Sequence, residues 1–151
     1  MYFPSTNPLP LVQEDQGVWA PVEHQRIIAR LTVGLGVLFY REKTIDLEPL
    51  PETMLDEGKA SLVPDISLRD AKTAQTPIII EVCHTNGRKG DLHKIIQLID
   101  QDFYGILEGF LYDYRTHEWF RYRKGDGGLT EPSSFSEILQ LDLNSFLSYE
   151  L

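Results

Sequence analysis

The chain has 151 residues, enough for one domain with a sizeable core, and its 42% hydrophobic and 25% charged residues exclude a collagen-like, linker or disordered protein. A formal net charge of -9 argues against binding nucleic acid by bulk electrostatics, because phosphate neutralisation supplies nearly all non-specific affinity. One cysteine, Cys83, excludes an intramolecular disulfide, and neither a secretory apolar region nor a run near the roughly 20 residues of a membrane span is visible, so a cytoplasmic location is expected.

Residues 1–20 read as an N-terminal arm, opened by Pro4, Pro8 and Pro10, and residues 21–151 as a single domain. Ile27, Ile28, Leu31, Leu35 and Leu38 recur at helical spacing behind Pro21, which predicts an amphipathic helix from Glu23 whose second half Gly34 and Gly36 weaken. Pro49 and Pro51 break the next stretch, and Glu57-Gly58-Lys59 marks a turn.

Leu62 to Leu68 and Pro77 to Cys83 read as short strands, the second a β-branched run of the kind buried on both faces of a sheet. A loop from Thr85 to Gly90 leads to Asp91, a fitting N-cap for a helix with Leu92, Ile95, Ile96 and Ile99 on one face. Ile106 to Tyr112 and Glu118 to Arg123 are two further strands joined by a hairpin turn at Tyr114 to His117. Strand, helix, strand over residues 77–112 is a βαβ unit, so a parallel pair is expected inside a mixed sheet. The tail from Ser134 to Leu147 reads as short helical packing, and no repeat is present.

The chemistry-bearing feature is a pair of acids in apolar strands, Asp65 in Val63-Pro64-Asp65-Ile66 and Glu81 in Ile79-Ile80-Glu81-Val82. A buried ionised carboxylate needs a cation or strong hydrogen bonds, otherwise its pKa rises until it is neutral. A lone strand acid most often accepts backbone hydrogen bonds or pairs with arginine. Two acids on neighbouring strands point instead to a hard-cation site, since Mg²⁺ prefers one or two carboxylates with water and phosphate oxygens. Strand alternation puts Glu81 on one face with Ile79 and Cys83, opposite Ile78, Ile80 and Val82.

Pro64-Asp65 followed by Glu81-Val82 resembles the PD-(D/E)XK nuclease superfamily, and the surroundings are similar to its Uma-two restriction endonuclease family. The matching features are His24-Gln25-Arg26-Ile27-Ile28 opening the first helix, Asp91-Leu92 opening the second, the Glu108 to Asp113 strand, and the Phe135 to Leu147 tail. The resemblance covers the chain from about residue 20 onward. It implies an α/β, restriction endonuclease-like single domain with a mixed central sheet flanked by helices. It also implies an endonuclease that hydrolyses DNA phosphodiester bonds with Mg²⁺ or Mn²⁺ held by Asp65 and Glu81, acting as a homodimer because two strands need two sites.

The superfamily's lysine belongs two residues after the acid, where this chain has Cys83; Lys94 on the following helix is the candidate replacement. Lys89 and Arg88 are candidate phosphate contacts, with solvated loop charges as the alternative reading. The missing lysine and the acidic net charge favour the rival reading, a nuclease-fold binding or assembly module without catalysis. Glu23, Glu52, His24 and His93 are expected at the surface, and no histidine pair has zinc spacing. Cys83 reads as a small buried hydrophobe, and Gly87 and Gly90 lack the ending of a phosphate loop. Tyr112, Tyr114, Trp119, Phe120 and Tyr122, interleaved with Arg115, Arg121 and Arg123, read more readily as a hairpin with an aromatic core face than as a stacking platform for bases.

Overall fold

The computed structural model describes residues 21–55 and 63–147. The expected arm over residues 1–20 and the turn at Glu57-Gly58-Lys59 lie outside the described residues, as does Leu62.

The first helix, α1 (Val22–Gly36), starts behind an extended Pro21 and turns Ile27, Ile28, Leu31 and Leu35 inward. It does not weaken at its glycines; it continues through Val37–Glu42 as a wider π-helical turn and stops at Lys43, whose φ is 57°. Gly34 is there for space, because an added Cβ would lie 2.2 Å from the Phe146 ring.

The proline-broken stretch forms a strand after all, β1 (Glu48–Pro51), antiparallel to β2 (Ile66–Asp70). β1 is the sheet edge, where a residue without an N–H costs the ladder nothing. β2 starts four residues later than expected, so Asp65 sits in the bend before the strand rather than inside it. β3 (Gln75–Cys83) runs antiparallel to β2 and parallel to β4 (Glu108–Asp113), and β5 (Glu118–Arg123) closes the order β1-β2-β3-β4-β5. The expected βαβ crossover is β3-α2-β4.

The second helix, α2 (Arg88–Gln101), begins three residues before the expected Asp91, preceded by a 3₁₀ turn at Thr85–Gly87. Asp91 therefore stands in its first turn and Gly87 takes the N-cap position. The tail forms a two-stranded ribbon, β6 (Phe135–Ser136) with β7 (Leu141–Asp142), before a 3₁₀ turn at Leu143–Phe146. The helical expectation holds for that last turn alone.

Two cores result, one on each sheet face. α1 covers Ile78, Ile80, Val82, Phe110 and Tyr112, while α2 covers Ile79, Cys83, Leu111 and Tyr122. No helix among the described residues is long and apolar enough to cross a membrane.

The Gly34 contact gives a paired test by denaturant midpoint. Gly34→Ala drives a methyl into Phe146 and should cost about 1–3 kcal/mol, in the range of core overpacking. Gly36→Ala, whose Cβ meets only Tyr40 at 3.7 Å, should be neutral or stabilise by up to ~1 kcal/mol through helix propensity.

Candidate metal centre

β3 carries Glu81 into the sheet interior, where its residue is 3% exposed. The register pairing Ile66 with Ile80 continues one step to bring Asp65 level with Glu81. Asp65 is fixed there by its Oδ2, which accepts the Val82 N–H at 2.7 Å, and by its carbonyl, which accepts the Glu52 N–H at 2.9 Å. Both readings of a strand-end acid thus meet in Asp65: it accepts a backbone hydrogen bond and it stands beside a second carboxylate.

Glu81 lies on the α2 face, as alternation requires, and Lys94 of α2 reaches it, Nζ to Oε1 3.2 Å. The other oxygen, Oε2, is buried without a hydrogen-bond partner. Burial pushes the Glu81 carboxyl up to about 7; the neighbouring Asp65 charge adds to the rise and Lys94 opposes it.

Two contacts set the position of α2. Gly109 on β4 lets the helix close onto the sheet, since a Cβ there would lie 2.4 Å from Ile95, the residue after Lys94. At the helix start, Arg88 donates to the fully buried Asp113 at 2.8 Å and to Glu118 at 2.7 Å, with its guanidinium 4.8 Å over the Phe120 ring. Asp113 also accepts from Thr85 and from the N–H groups of Arg115 and Thr116, and this cage holds its carboxyl below the usual range against its burial. Arg88, a candidate phosphate contact by sequence, is thus engaged in tying α2 to the β4–β5 hairpin. Lys89 is exposed beside it.

The structure adds two side chains to the site. His24, expected in solvent, turns its Nε2 to within 3.4 Å of Asp65 Oδ2 while Nδ1 meets Gln25 Oε1 at 2.9 Å. Held by that carboxylate against its partial burial, its pKa rises to about 9. Asp91, half-buried and close enough to feel Lys94 and Asp65, has its pKa raised, chiefly by burial. No sequence signal marks His24, because its partner Asp65 is brought to it only by the fold. Glu23 instead pairs with Arg26, and Glu52 and His93 are exposed, as expected. Cys83 is buried and its thiol pushed up to about 12, so it is an inert apolar neighbour of Glu81. Of the aromatic run, Tyr112, Trp119 and Tyr122 are buried in the two cores.

Among the described residues no group of three or more His, Cys, Asp or Glu side chains is placed to hold a metal ion. Asp65 and Glu81 still fit a hard cation, which takes one or two carboxylates and completes its shell with water. The unpartnered Oε2 of Glu81 is the observation that passes this test. Surface depressions lie elsewhere too, around Leu107, Ile138 and Asp70 toward the other end of the sheet, where Arg123 pairs with Asp126 and Glu137.

Comparison with solved structures finds a protein from Anabaena variabilis ATCC 29413 described as "a putative nuclease belonging to DUF820", 16% identical, with a TM-score of 0.60 over 85% of this chain and 82% of that one. The chain has a nuclease-like fold. A chain of the DrdV-DNA complex also matches, at 14% identity and a TM-score of 0.41, over 83% of this chain and 14% of that one. No family model matches the chain, and no curated protein does.

Two pH effects follow for the metal-free protein in EDTA. Glu81 binds its proton more tightly folded than unfolded, so it destabilises as pH rises from about 4.5 to about 7 and fully above that. Glu81→Gln should therefore gain stability over wild type at pH 8, on the order of 3 kcal/mol before the loss of the Lys94 contact, and little at pH 4. His24 contributes stability that is complete below its unfolded pKa of 6.5 and is lost as pH rises through about 9. Asp65→Asn should flatten the melting-temperature profile over that interval.

Proposed function

We propose that this protein is a Mg²⁺-dependent nuclease, with Mn²⁺ as a substitute, that hydrolyses phosphodiester bonds of DNA at Asp65, Glu81 and Lys94. The observation that carries the reading is Glu81 itself: a buried carboxylate with one oxygen unpartnered, an aspartate alongside and a lysine at 3.2 Å. The nuclease-like fold supports it, as does the resemblance of Pro64-Asp65, Glu81-Val82 and Asp91-Leu92 to the Uma-two pattern.

Asp65 and Glu81 would hold the cation, which when bound polarises the scissile phosphate and lowers the pKa of an attacking water. The Val82 N–H keeps Asp65 Oδ2 oriented, and His24 supports the same oxygen from outside the sheet. Lys94 presents an ammonium beside Glu81, where it can steady the charge that develops on the phosphate. Its place on a helix, with Cys83 at the usual strand position, keeps the lysine on the same sheet face as Glu81.

Because a proton occupies Glu81 up to about pH 7, cation and proton compete there. Mg²⁺ should stabilise the wild type by about 2.7 kcal/mol at a hundredfold excess over Kd, and so raise its melting temperature, more at pH 8 than at pH 6. Glu81→Ala should abolish the shift. With plasmid and oligonucleotide DNA, Asp65→Ala should remove cleavage, and Lys94→Met should lower kcat by ~10²-fold, the scale for one donor to a developing charge. Mg²⁺ binding without cleavage at any pH would favour the binding-module reading, and cleavage that survives Asp65→Ala would place the chemistry elsewhere.

A further inference from the structure

β3 and β4 stop level with one another, and the residues that follow them stand side by side at that end of the sheet. The parallel register ends with Cys83 beside Asp113, and the Tyr114 N–H donates to the Cys83 carbonyl at 2.9 Å, which carries the pairing one step further, to His84 and Tyr114. Alternation puts both side chains on the α1 face, after Val82 and Tyr112. Their rings lie nearly perpendicular with 6.3 Å between centroids, and the His24 ring meets Tyr114 at 6.5 Å. His24 in turn touches Asp65, so the three rings border the acid pair. From the α2 side, Asp91, whose carboxyl is raised chiefly by burial, is close enough to feel both histidines as well as Lys94.

The hydrogen-bonding capacity of these rings is unequally used. His24 has both nitrogens engaged, by Asp65 and by Gln25. His84 Nδ1 accepts the Asn86 N–H at 3.1 Å, and a ring whose Nδ1 accepts carries its proton on Nε2. Tyr114 rests its ring on the α1 core and is half-buried. Among the described residues, neither the His84 Nε2–H nor the Tyr114 hydroxyl has a hydrogen-bond partner. Two adjacent donors suit an anionic oxygen, and a cation has no use for an Nε2–H.

We propose that His84 and Tyr114 form a phosphate subsite, in which the His84 Nε2–H and the Tyr114 hydroxyl hold the phosphodiester next to the scissile one and so position the strand beside the acid pair. The identity of the ligand, a DNA strand, rests on the nuclease reading above. Side-chain donors without charge commonly contact phosphates and fix the register of a nucleic acid. Such a grip suits a chain whose net charge is -9 and whose Arg88 is spent on Asp113 and Glu118.

His84 also caps the Thr85–Gly87 turn, so the variants must separate that role from binding. Asparagine in its place keeps an acceptor for the Asn86 N–H but ends short of Nε2, whereas glutamine returns a donor to the place of Nε2. Anisotropy of a labelled single-stranded DNA oligonucleotide with the full chain in EDTA, followed by cleavage kinetics in Mg²⁺, tests the proposal. Wild type should bind. His84→Asn and Tyr114→Phe should each raise Kd about tenfold, the scale for a hydrogen bond to a charged group, with the melting temperature unchanged. His84→Gln should bind closer to wild type than His84→Asn does. In Mg²⁺, His84→Asn and Tyr114→Phe should raise KM with little change in kcat, the mark of a contact made equally in ground and transition states. If wild type binds, both variants lose affinity and no protein cleaves, the subsite stands and the nuclease chemistry falls. A wild type that binds no oligonucleotide overturns the proposal. So do variants that bind as wild type does, a His84→Gln as weak as His84→Asn, and a fall in kcat at unchanged KM.

Discussion

A carboxylate taken out of water must be neutralised by a proton, a cation or a hydrogen-bond cage, and the arrangement around β3 follows from which of these each acid receives. Asp113, fully buried, has the cage: an arginine, a threonine hydroxyl and two backbone N–H groups. Glu81, two register positions behind it on the neighbouring strand, has a single lysine and an oxygen left over. Nothing in the fold requires an acid at Glu81, since Ile79 and Cys83 beside it pack as apolar groups. The cost of keeping one there is the physical argument for a site.

The two acids also divide the work of α2. Arg88 on Asp113 anchors the start of the helix, and Gly109 lets the following turns settle onto the sheet, so Lys94 arrives beside Glu81 from a helix fixed at two points. Asp65 is held by the backbone of β3 itself, because the β2 ladder begins one residue later and leaves the Val82 N–H to the side chain. Three groups from three separate segments are thereby placed by three different means: strand alternation, a side-chain cap and helix packing.

Much of this was legible in the sequence because it rests on period. The apolar spacing of α1 and α2, the β-branched run of β3 and the alternation of β5 reported their elements, and alternation placed Glu81 on the α2 face with Cys83. Position in space was less legible. Prolines argued against β1, but an edge strand can dispense with the N–H that proline lacks. Arg88 looked like a free loop cation because its partner, Asp113, lies 25 residues away and reaches it only through the crossover. His24 looked solvated for the same reason, as Asp65 is far from it in sequence and meets it only in the fold. The tail was misjudged where two short strands pair only with one another, a contact too small to leave a periodic signature.

With Cys83 in the strand and the ammonium on α2, the distance from Lys94 to Glu81 is not built into one rigid element; it spans an interface closed over Gly109. Such a gap responds to anything that loosens the seam between helix and sheet, whether warming, hydrostatic pressure or a larger side chain at Ile95. A strand-borne lysine would keep its spacing until the sheet itself came apart. In this chain the spacing can open while the secondary structure is still intact, so loss of the three-group geometry is expected to precede unfolding.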